Sequence, residues 1–117
     1  MGAAAEPIVL IDRGGVLLSV VSARLAMAGD TPITGSDCVD PKLVPALRST
    51  ALLVIEARRI APDPAQAVSS LRAMGWNGKL LIIVDQLPDG EPPAQVRWVS
   101  KRGGTSAVMS ALANLRG

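Results

Sequence analysis

The chain has 117 residues, 49% of them hydrophobic, and carries 12 Lys and Arg against 10 Asp and Glu, a net charge of +2. So small a charge, with no Phe or Tyr and only two Trp, argues against nucleic-acid contact through a basic patch or a base-stacking surface. With no histidine and a single cysteine, Cys38, an internal disulfide, a Cys/His zinc site and His-dependent catalysis are excluded.

The length fits one domain, 1–117, with residues 1–6 as a flexible tail. Nothing reads as a secretory leader, and no apolar run approaches the roughly 20 residues needed to span a bilayer. A cytoplasmic protein with no membrane contact is expected. The first strand is the apolar run 8–11, ended by Asp12. A helix follows from Gly15 to Ala28, with Leu18, Val21, Leu25 and Ala28 at helical spacing and Gly29 as its stop. Residues 31–35 form a weaker strand. Asp40-Pro41 is an N-cap with a first-turn proline for a second helix reaching about Arg48, shortened or distorted by Pro45 inside it. The run 51–55 is a strand ended by Glu56. Asp63-Pro64 opens the clearest helix, which places Ala67, Val68, Leu71 and Met74 on one face and closes at Gly75. The run 80–84 is a strand ended by Asp85. Residues 86–94 hold three prolines and a glycine, so this connection is a loop. A last strand covers 95–100, and Thr105 or Ser106 caps a final helix carrying Val108, Leu112 and Leu115.

Continuous β-branched runs indicate strands buried on both faces, and their alternation with helices indicates a doubly wound, five-stranded parallel α/β sheet whose fourth helix is missing or reduced to a loop. Ligands and chemistry collect at the carboxyl ends of such strands. Here those ends carry Asp12, Glu56 and Asp85, and Lys101 follows the fifth strand. Charge at one strand end is ordinary; three acids and a lysine on one rim mark a candidate pocket. Arg13-Gly14-Gly15 and Arg102-Gly103-Gly104 follow the first and fifth strands and read as tight turns rather than as an anion cradle.

This order resembles the receiver domains of response regulators (CheY-like), most closely those of LuxR/NarL-type transcriptional regulators. Asp12 falls on the first acid of the family's acid pair, Glu56 on the phosphoacceptor aspartate and Lys101 on the lysine of the fifth strand. Trp98 falls on the switch aromatic three residues earlier. The departures fall in the same machinery. Arg13 replaces the second acid, Glu56 the acceptor Asp, and Asp85 the hydroxyl residue. Arg13 places a positive charge where Mg²⁺ needs a carboxylate. Glu is a methylene too long for in-line attack, and Asp85 repels a phosphoryl group.

The resemblance therefore implies a phosphorylation-independent regulatory domain, not an enzyme, with no catalytic residue, cofactor or metal. Arg13 or Lys101 is expected to pair with Glu56, which ranks above a vestigial pocket and above a joint cation site of Asp12, Glu56 and Asp85. Trp98 is either a switch aromatic locked by its bulk or an edge-strand packing residue. The expected partners are a second copy, through the first and last helices at Leu17, Val20, Met109 and Ala113, and an output DNA-binding domain in the parent chain. The alternative is a small-ligand- or anion-binding α/β domain that uses the strand-end rim.

Overall fold

The computed structural model of the chain describes residues 6–12, 15–37 and 43–116. Ile8–Ile11 (β1), Ile33–Gly35 (β2), Leu52–Glu56 (β3), Leu80–Val84 (β4) and Val96–Ser100 (β5) form one sheet in the order β2-β1-β3-β4-β5. Every pairing is parallel. The helices are Val16–Met27 (α1), Pro45–Thr50 (α2), Pro64–Ala73 (α3) and Gly104–Arg116 (α4). This is a doubly wound α/β fold of the CheY/flavodoxin type. No helix among the described residues is long and apolar enough to cross a membrane.

The pleat sends alternate strand residues to opposite faces, so the sheet feeds two separate cores. Ile8, Leu10, Leu52, Val54, Leu81, Ile83 and Val99 pack with α1 and α4. Val9, Ile11, Leu53, Ile55, Ile82, Val84 and Val96 pack with α3, Leu43 and Trp76. The continuous apolar runs are thus required by burial on both sides, and each buried Leu or Ile contributes about 1.5–3 kcal/mol. Trp76 is fully buried and takes the place that a Phe would hold in a core with none.

Helix ends follow the local sequence closely. After α1, Gly29 at φ 94° lets its N–H reach Ala26 O and the Asp30 N–H reach Leu25 O. After α3, Gly75 at φ 96° repeats the device, with the Trp76 N–H on Leu71 O. At the start of α3, an Asp63 carboxylate oxygen accepts from the Gln66 N–H at 3.3 Å.

Four expectations change. The second helix is short, as expected, at six residues, but Pro45 begins it instead of lying inside it, because the first helical position needs no N–H and Val44 before it is extended (ψ 158°). The expected start at Asp40-Pro41 lies outside the described residues. In the last helix Thr105 and Ser106 sit in the first turn instead of before it. The preceding turn Lys101–Gly103 delivers the chain to Gly104, whose φ 66° and ψ −160° are open essentially to glycine. Glu6, read as part of a tail, is held by Lys79 Nζ at 3.1 Å; residues 1–5 lie outside the description. Finally, only Val20 and Ala113 of the four expected dimer contacts are exposed. Leu17 and Met109 are half-buried against the α1/α4 core.

The connection between β4 and β5 contains no helix. Its prolines instead lie across the edge strand, where Leu87, Pro88 and Pro92 share a groove with Val96 and Trp98. Trp98 is half-buried there, packed against the α3-side core.

Candidate functional site

β3 ends on Glu56, opposite Ile83 of β4, at the carboxyl rim of the sheet. The next residue, Ala57, is buried and opens a tight turn, Ala57–Arg59, closed by the Ile60 N–H on Ala57 O. This turn brings Arg58 and Arg59 back over the acid that precedes them.

The Glu56 side chain is only 13% exposed. A carboxylate so enclosed stays charged only with strong partners. Lys101 Nζ lies 2.9 Å from Oε1, hydrogen-bond distance, and Arg59 Nε lies 3.7 Å from Oε2. Arg58 reaches the same oxygen at 4.0 Å and bridges to Asp85 Oδ2 at 3.9 Å. The expected Glu56–Lys101 pair is therefore present. Its reinforcement by Arg58 and Arg59 was missed, although the pattern Glu-Ala-Arg-Arg directly after a strand was the available signal. Arg13, the other expected partner, lies outside the described residues, as does Cys38.

Asp12 has a different task. One carboxylate oxygen accepts from the Gly15 N–H at 2.7 Å and the other from the Ser19 hydroxyl at 3.0 Å. It thus shapes the turn from β1 into α1. Asp85 is well exposed, and among the described residues its ion pair is with Arg58. Asp12, Glu56 and Asp85 do not converge: among the described residues no group of three or more His, Cys, Asp or Glu is placed to hold a metal ion. The joint cation site considered for these three acids is not formed.

Two of the cavities on the rim border Glu56. The smaller, about 220 Å³, lies where the strand order reverses between β1 and β3, and includes Asp12 and Arg59. The larger, about 660 Å³, lies over β4 and is bounded by Arg58, Pro62, Pro64, Ile83, Asp85 and Arg102. Glu56 and Lys101 line both. Their ion pair is the partition between the two.

No family model matches the sequence, and no curated protein is similar to it.

Proposed function

We propose that this chain is a receiver-like regulatory domain that works without phosphorylation, in which a fixed carboxylate occupies the place of a phosphoryl group. The observation that carries the reading is the 2.9 Å pair between Lys101 and Glu56. The ammonium that the resemblance assigns to phosphoryl recognition already has an anionic partner, and that partner is the residue standing at the acceptor position. The arginines behind Glu56 supply further compensating charge. The signal then passes by association with a second copy and through an output DNA-binding domain on the same polypeptide.

The exposed face of α1 supports the dimer part of the reading. Val16 is 77%, Val20 39% and Met27 87% exposed, at spacings that align them on one side of the helix, opposite the buried Leu18, Val21 and Leu25.

Sedimentation velocity combined with intact mass tests both parts. Incubation with acetyl phosphate and Mg²⁺ is expected to leave both the mass and a dimeric sedimentation coefficient unchanged, while Val20→Asp gives a folded monomer. A phosphoryl adduct, or a wild-type protein that is monomeric throughout, would overturn the reading.

A further inference from the structure

We propose that the larger rim cavity is a binding site for a small phosphomonoester, with Arg58 and Arg102 as the side chains that hold the phosphate. Its volume of about 660 Å³ falls within the range of small-molecule sites, about 300–1,000 Å³. The wall is of two kinds. Pro62 and Pro64 present rigid apolar surface. Arg58, Lys101 and Arg102 present three cations, against the two carboxylates Glu56 and Asp85.

These cations are not equally committed. Lys101 is spent on Glu56 at hydrogen-bond distance. Arg58 meets its carboxylates only at 3.9 and 4.0 Å, too long for a hydrogen bond, so its donors remain available. The Arg102 side chain has no hydrogen bond or ion pair among the described residues. Two guanidinium groups with free donors on one cavity suit a tetrahedral dianion, which each can engage through paired N–H groups. The charge balance disfavours a free cation. The apolar wall gives the organic half of a monoester something to pack against, which inorganic phosphate lacks.

Glu56, Asp85 and Lys101 line this cavity too, but binding is non-covalent and needs no acceptor residue and no metal, and Arg58, 3.9 Å from Asp85, offsets the repulsion from that carboxylate. It also stands whether or not the domain dimerises or drives an output.

The test is an amide-resolved NMR titration of the whole chain with phenyl phosphate, with inorganic phosphate, phenol and MgCl₂ as separate arms. Phenyl phosphate is expected to shift amides around 57–58, 83–86 and 101–102, and to bind more tightly than inorganic phosphate or phenol. Arg58→Gln and Arg102→Gln should each weaken it about tenfold while leaving the remaining spectrum in place. Three results would overturn the proposal: shifts scattered over all basic surface residues, affinity unaffected by both substitutions, or a rim response to MgCl₂ alone.

Discussion

Near the amino end of the sheet four basic side chains, Arg48, Arg72, Lys79 and Arg116, have defined acceptors. Arg72 donates to the carbonyls of Trp76 and Gly78, both at 2.7 Å, and Arg48 donates to Met74 O at 2.9 Å. Lys79 holds Glu6, and Arg116 at the end of α4 holds Asp30 through a two-pronged pair at 3.0 and 3.1 Å. At the carboxyl end the cations crowd instead. Lys101, Arg59 and Arg58 converge on one carboxylate, and the Arg102 side chain has no hydrogen bond or ion pair among the described residues. The first arrangement satisfies loop carbonyls and staples termini; the second concentrates charge beside a cavity. The contrast teaches which end of the molecule is scaffold. Burial lowers the pKa of Arg72 below the usual arginine value, whereas the hydrogen bonds that Arg116 donates to Asp30, with the charge of that carboxylate, raise that of Arg116 against a smaller effect of burial. Both stay protonated at any ordinary pH, so this end does not titrate through these two arginines.

Substitutions graded along the contrast can break it. The largest effect is expected for Arg72→Ala, which strips two carbonyls of a charged donor in the turn leading into β4. A loss of about 2 kcal/mol should appear in urea unfolding, and an unchanged midpoint would mean that this end is not held as described. The turn has little slack, because a side chain at Gly78 would collide with the backbone of Ala51. Lys101→Ala should cost less, about 1 kcal/mol, since its partner is enclosed but Arg58 and Arg59 remain nearby. Adding Glu56→Gln to it should recover part of that loss, and the double-mutant cycle measures the coupling. The smallest effect belongs to Arg102→Ala. With no side-chain hydrogen bond or ion pair to lose among the described residues, its unfolding free energy should stay within about 0.5 kcal/mol of the parent. A larger drop would show that Arg102 is structural and would erase the distinction between the two ends.

Much of the fold was legible because burial leaves a plain mark. Strands covered on both faces cannot tolerate polar residues, so 8–11, 51–55 and 80–84 announced themselves. Gly29, Gly75 and Asp63 are local devices whose action needs only their neighbours. Pro45 was misread because a proline inside a helix and one at its first turn look alike until the start is known. Leu17 and Met109 were misjudged because helical spacing says which residues share a face, not how far a neighbouring helix covers it.

For the site, the residue types and their order at the strand ends sufficed to bring Glu56, Asp85 and Lys101 to one rim, since a parallel sheet leaves its strand ends no other place to meet. Sequence order also placed Asp12 there, but it could not say that both its oxygens are taken by Gly15 and Ser19. Nor could it say that a turn of three residues returns Arg58 and Arg59 to Glu56, or that the Arg102 side chain has no ion pair among the described residues. Those outcomes are choices among several partners of suitable charge. They are decided by a few ångströms of side-chain reach, which exist only once strands from distant parts of the chain lie side by side.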